Sequence, residues 1–173
     1  GPAGRLVSFE RREELAQVAE ANVETFFGEY PTTWSVVVGD LVAELPTALA
    51  PASVDRVVLD MLAPWECLPT AARMLVPGGV LCAYVATTTQ LSRLAEQLRV
   101  EGCWTEPQAW ESLTRTWHLE GLAVRPDHRM IGHTGFLLTS RRLADGTVLP
   151  AKRTRPAKGA YGPDYAGPRA MPV

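Results

Sequence analysis

Short apolar runs that alternate with helix-patterned stretches, and that end on acids, set the strongest constraint in this sequence. Arg5-Leu-Val-Ser-Phe9 closes on Glu10, Trp34-Ser-Val-Val-Val38 on Gly39-Asp40, and Val54-Asp-Arg-Val-Val-Leu59 on Asp60. Val80-Leu-Cys-Ala-Tyr-Val85 is a fourth run, apolar on both faces. Between the first two, Leu15, Val18, Ala19, Asn22 and Phe26 recur at helical spacing, so one face of that stretch is mostly apolar. Residues 41–53, with Pro46 and Pro51, read as a loop. Pro64 opens a helix expected to run through Leu75, where Pro77-Gly78-Gly79 reads as a helix stop and tight turn. Leu91, Leu94, Ala95 and Leu98 mark the next helix. Continuous apolar strands separated by amphipathic helices predict an α/β fold with a parallel sheet covered on both faces. Residues 110–118 and 134–141 are strand-like runs joined by a proline-containing loop, and they predict an antiparallel edge.

Composition narrows the class. The chain has 173 residues, 46% hydrophobic and 21% charged, which suits one soluble domain and excludes wholesale disorder. No apolar run approaches the roughly 18–20 residues of a membrane helix, and no secretory signal is visible. Cys67, Cys82 and Cys103 form no CxxC pair and read as reduced thiols of a cytoplasmic protein. The net charge of −2 hides an asymmetry: residues 151–173 carry +4 and residues 1–150 carry −6. Residues 144–173 are expected to form a disordered basic tail rich in proline and glycine, either a plain solvated terminus or an arm for a polyanion.

In an open α/β sheet, ligands bind outside the carboxyl ends of the strands. Glu10, Asp40 and Asp60 all fall there, and an acid in that position can accept the ribose hydroxyls of a nucleoside cofactor. Each alone has a plainer role as a helix cap or loop carboxylate; three at one edge favour the cofactor. Trp65, following Asp60 and Pro64, fits either a core position or a base-stacking wall. In residues 125–135, His133 and Thr134 could contact substrate or phosphate and Arg129 could neutralise it, or the segment is a structural junction. His118, His128 and His133 have no partners at metal-ligand spacing, so no metal site is expected.

Four segments, Ser8-Phe-Glu-Arg-Arg12, Gly39-Asp-Leu41, Leu59-Asp-Met-Leu-Ala-Pro-Trp65 and Gly132-His-Thr-Gly-Phe-Leu137, resemble the tRNA (adenine-58-N1) methyltransferases, most of all their actinobacterial form. The likeness covers residues 1–143. It implies a Rossmann-like class I methyltransferase fold, a mostly parallel sheet with an antiparallel edge, using S-adenosylmethionine and acting on tRNA as a homotetramer. By the resemblance, Glu10 holds the cofactor's ribose, Asp40 and Leu41 flank its adenine, and Leu15 helps wall that pocket. Asp60 touches the cofactor and stands beside the reacting base as the catalytic carboxylate. Trp65, Tyr84, Gln90, Arg129, His133 and Thr134 are expected near the target nucleotide.

One departure stands out. The resemblance calls for a first strand with a Gly-rich loop, in the sheet's centre between the strands ending at Glu10 and Asp60, and no GxGxG occurs here. The expectation is therefore a partial catalytic domain. A noncatalytic RNA-binding or assembly subunit with a degenerate fold is the alternative, and a nicotinamide-dependent oxidoreductase fits the Asp60-to-Trp65 motif poorly. The 173-residue chain is expected to bind S-adenosylmethionine weakly or not at all and to lack activity alone; micromolar binding by isothermal titration would overturn that.

Overall fold

In a computed structural model, residues 4–150 are described; most of the expected basic tail, residues 151–173, lies outside them. Three β-layers organise the chain. Strands β1 (Leu6–Glu10) and β2 (Trp34–Val38) pair in parallel, with helix α1 (Glu13–Phe27) between them. Strand β3 (Val54–Asp60) pairs in parallel with β4 (Leu75–Val85). Two antiparallel neighbours extend that sheet, β8 (Phe136–Arg141) against β4 and β5 (Gln108–Trp110) against β8, giving the order β3-β4-β8-β5. The third layer is a hairpin of β6 (Trp117–Glu120) and β7 (Ala123–Pro126). Helices α2 (Leu41–Ala48), α3 (Leu68–Met74) and α4 (Thr88–Glu101) complete the fold. No described helix is long and apolar enough to cross a membrane.

The core sits on β3 and β4 and under α3 and α4. Leu68, Ala71, Leu81, Ala83 and Leu94 are wholly buried, and Leu59, Val85, Leu98, Trp104 and Leu138 nearly so. Alternation along β4 buries Leu81, Ala83 and Val85 while Cys82 and Tyr84 remain half-buried, so one face of the strand is fully covered and the other only in part, short of the sheet covered on both faces that its apolar run suggests. Helix α4 is fixed at both ends. Thr87 and Gln90 form a reciprocal capping box, and Gly102 adopts a left-handed φ of 67° just past the last turn.

Several sequence expectations change. Residues 41–53 are not all loop, because the Asp40 side chain accepts the Val42 N–H and starts α2, which tolerates Pro46 in its short length. The single helix expected from Pro64 to Leu75 splits into a 3₁₀ turn, Pro64–Cys67, and α3, which ends at Met74 because Leu75 already pairs with Val54. Pro77-Gly78-Gly79 is accordingly an irregularity inside β4. The register moves from Val54↔Leu75 to Arg56↔Val80, and the extra residues loop out to meet Arg142. Residues 110–118 are no single strand: β5 ends at Trp110 and β6 starts at Trp117. The antiparallel edge is nevertheless present, formed by β8 and β5. Within residues 144–150, the described part of the expected tail, the Thr147 N–H bonds the Ala144 carbonyl and Asp145 pairs with Arg142.

The parallel sheet is not continuous: β1–β2 and β3–β4–β8–β5 are separate hydrogen-bonded sheets. On β3, Val57 and Leu59 are buried while Val58, on the other face, is 70% exposed, so that face of the strand is uncovered.

The bulge in β4 provides a test. A Cβ at Gly79 would lie 2.8 Å from the Val76 carbonyl oxygen and 3.2 Å from that of Asp55, both backbone atoms. Gly79→Ala is expected to lower stability by about 1–3 kcal/mol in urea unfolding. Gly132→Ala, with nothing within 4 Å of the added methyl, is expected to stay within about 0.5 kcal/mol.

Candidate active site

The carboxyl ends of β1, β2 and β3 open onto one cavity of about 580 Å³, whose wall includes Glu10, Asp40, Leu41 and Asp60. The three strand-end acids of the sequence analysis thus meet, although they come from two sheets. The volume lies in the range of small-molecule sites. A second hollow of about 560 Å³, beside Thr105 and Ser140, lies toward the opposite end of β8; there the Ser140 hydroxyl donates to the Thr105 carbonyl at 2.7 Å.

The three acids differ in what already occupies them. Glu10 Oε1 accepts the Arg12 N–H at 3.0 Å, and the Arg12 guanidinium lies 3.5 Å away. That backbone hydrogen bond, aided by the guanidinium, holds the Glu10 carboxyl below the ordinary glutamate value. Asp40 spends Oδ1 on the Val42 N–H at 2.9 Å and has Arg11 3.7 Å from Oδ2. Asp60 is exposed, and among the described residues no hydrogen bond or ion pair engages its carboxylate. It ends β3 directly opposite Tyr84 of β4.

The cavity wall also includes residues to which the sequence reading gave no role, among them Arg11, Arg12, Met61 and Cys67. The two arginines follow Glu10 directly, so adjacency to a strand-end acid was the available signal. Burial pushes the Cys67 thiol up, with the Asp40 and Glu66 charges adding to it, and its Sγ lies 3.5 Å from the Met61 sulfur.

The remaining predicted residues lie elsewhere than the cavity wall. Leu15 is on α1, partly exposed. Trp65 packs against the core, with the Arg93 guanidinium 4.1 Å from its ring centroid and its indole N–H buried without a hydrogen-bond partner among the described residues. Gln90 caps α4 and donates from Nε2 to the Leu62 carbonyl at 2.9 Å, tying down the turn that follows Asp60. Tyr84, His133 and Thr134 form their own cluster: the Tyr84 hydroxyl donates to the Thr134 carbonyl at 2.5 Å, and His133 reaches Ala86 and Glu111. Arg129 is exposed. Among the described residues, no group of three or more His, Cys, Asp or Glu side chains is placed to hold a metal ion.

Two parallel strand pairs, one with an antiparallel edge, and acids at three strand ends around one cavity form an α/β nucleotide-binding arrangement, and its structural neighbours make it a class I S-adenosylmethionine-dependent methyltransferase fold. Solved structures agree. An O-methyltransferase of Thermotoga maritima matches with a TM-score of 0.72 and 27% identity, over 83% of this chain and 52% of that one. The tRNA (m1A58) methyltransferase TrmI of Aquifex aeolicus has the same fold, with a TM-score of 0.70 and 22% identity over 82% and 55% of the two chains. Residues 1–123 match the family described as tRNA methyltransferase complex GCD14 subunit, and the chain belongs to that family. Among curated relatives, the tRNA (adenine(58)-N(1))-methyltransferase TrmI of Thermus thermophilus is 32% identical over 82% of this chain and 53% of its own. The tRNA (adenine(57)-N(1)/adenine(58)-N(1))-methyltransferase TrmI of Methanocaldococcus jannaschii is 26% identical over 82% and 57%. The chain spans about half the length of the curated relatives it matches.

The contacts at Glu10 predict its titration. Its carboxyl ¹³C resonance is expected to titrate below the ordinary value of 4.5. A lowered pKa means the Arg12 contact contributes stability above that value, which is lost as pH falls through the lower folded one. A midpoint at or above 4.5 contradicts the placement.

Proposed function

We propose that this chain forms part of the catalytic domain of a methyltransferase that uses S-adenosylmethionine to modify N1 of adenine 58 in the T-loop of tRNA. The observation that carries the reading is the uncommitted carboxylate of Asp60, at the mouth of a cavity where Glu10 and Asp40 are already engaged. Membership of the GCD14 family and the named activities of the relatives supply the substrate class.

The residues present suit the cofactor. Glu10 remains ionised and, with one oxygen on the Arg12 N–H, keeps acceptor capacity for the two ribose hydroxyls. Asp40 and Leu41, at the start of α2, line the same cavity and would flank the adenine. When bound, S-adenosylmethionine supplies an electrophilic methyl group.

Adenine N1 carries an in-plane lone pair, so the protein need not create a nucleophile by removing a proton. Its task is to orient the base and to stabilise the positive charge that the ring acquires. Asp60 can do both by accepting a hydrogen bond from the exocyclic amine. The turn after Asp60 is held by Gln90 through the Leu62 carbonyl, which limits drift of that carboxylate. Tyr84, His133 and Thr134 cluster where β4 ends and β8 begins, beside the register partner of Asp60, and would border the approach of a base turned out of its loop, whose phosphate the exposed Arg129 would neutralise. Trp65 supports this region from the core side.

A homotetramer working in the cytoplasm is the assembly we propose. It is supported by the β6–β7 hairpin, whose Trp117, Leu119, Leu122 and Val124 are all exposed, Leu122 completely. Such a stripe is suited to burial between subunits.

In the full-length protein, Asp60→Asn is expected to leave unfolding within about 0.5 kcal/mol of wild type and cofactor affinity unchanged. Methyl transfer to a tRNA transcript should fall roughly 10²–10³-fold. Near-normal turnover would remove Asp60 from the chemistry and favour a noncatalytic RNA-binding or assembly role.

A further inference from the structure

His133 is held in a way that one protonation state alone satisfies. Its Nδ1 lies 3.2 Å from Glu111 Oε2 and its Nε2 2.8 Å from the Ala86 carbonyl oxygen. A carboxylate and a carbonyl can only accept. Neutral imidazole has one N–H and would turn a lone pair toward the second oxygen, whereas imidazolium donates to both. The Phe136 ring lies against it, centroids 4.7 Å apart, and fixes its plane.

The neighbouring residues are fastened at the same place. The Tyr84 hydroxyl donates to the Thr134 carbonyl at 2.5 Å. Tyr84 also fills the space beside Gly135: a Cβ there would come within 2.3 Å of the Tyr84 hydroxyl oxygen. Residues 132–135 therefore form a strap across the end of β4, one strand from Asp60, whose register partner is Tyr84. Through His133, the strap joins the turn after β4 at Ala86 and the segment after β5 at Glu111.

We propose that His133 is a positioning residue, a proton-dependent staple whose imidazolium fastens residues 132–135 to the end of β4 and whose deprotonation loosens them. The groups facing it are few. The segment after β5 contributes the Glu111 carboxylate, the β4–α4 turn the Ala86 carbonyl, and β8 the uncharged Phe136. The Ala86 carbonyl first, and Glu111 next, raise the His133 pKa above the ordinary 6.5. The staple is thus complete below 6.5 and is lost as pH rises through the higher folded value. Only its bearing on turnover rests on the proposed function; the staple itself needs neither cofactor nor tRNA.

Backbone ¹⁵N order parameters of residues 132–135 test this in the 173-residue chain. Those of Leu81 and Leu138 in the same samples report that the core stays ordered. The order parameters of the strap are expected to fall from about 0.85 near pH 6 to below about 0.6 near pH 8.5, with their midpoint at the titration of the His133 ring ¹⁵N resonances. In His133→Phe, which keeps a ring beside Phe136, they should be low at both pH values. Glu111→Gln should keep them high at both, because the amide can donate to a neutral Nδ1. Wild-type order parameters independent of pH, or a pH dependence that survives in His133→Phe, would overturn the proposal.

Discussion

The parallel pairing of β3 with β4 is the interaction on which the rest of the molecule depends. It aligns Val57, Leu59, Leu81 and Ala83 in one buried layer and sets Asp60 opposite Tyr84. Three elements that border Asp60 are fastened to those two strands. The Gln90 side chain holds the turn after β3, β8 pairs along the other side of β4, and the strap before β8 closes over its end. A one-residue slip of β3 would exchange its buried and exposed faces, sending Asp60 toward the core and Leu59 into solvent.

Two kinds of carboxylate surround the cavity, and their difference follows from local chain geometry. Glu10 and Asp40 each precede a helix and are drawn into its first turn or toward the adjacent arginines. Asp60 is followed by Met-Leu-Ala-Pro and a 3₁₀ turn, so no helix N–H reaches back to it. The same sequence position, the end of a parallel strand, thus yields two acids partly engaged by neighbouring N–H groups and arginines and one left unengaged among the described residues. Hydrogen bonds to a charged acceptor contribute roughly 1.5–3 kcal/mol, which is why the engaged pair is poorly placed to serve a moving substrate.

Strand ends were legible because buried parallel strands must be apolar along their whole length and stop where a polar residue reaches water. That logic located Glu10, Asp40 and Asp60 and brought them to one cavity. It failed where tertiary contacts outweigh local signals. Pro46 reads as a breaker, yet the Asp40 cap suffices for a helix too short to need every hydrogen bond. Pro77-Gly78-Gly79 reads as a stop, yet a register shift against β3 absorbs it. The β6–β7 hairpin was missed because its residues are exposed on both faces, so no burial imposes alternation. Glu111 gave no signal at all, since its partner His133 lies 22 positions away in sequence.

Cys67 adds a property of the cavity wall. Its thiol is almost fully buried, and burial together with the Asp40 and Glu66 charges disfavours the thiolate. The nucleophilic form of sulfur is the thiolate, and the adjacent Met61 sulfur is already approached by that S–H. The wall nearest the strand ends is therefore soft and polarizable but chemically quiet. An electrophile resting against such a wall would not be consumed by it.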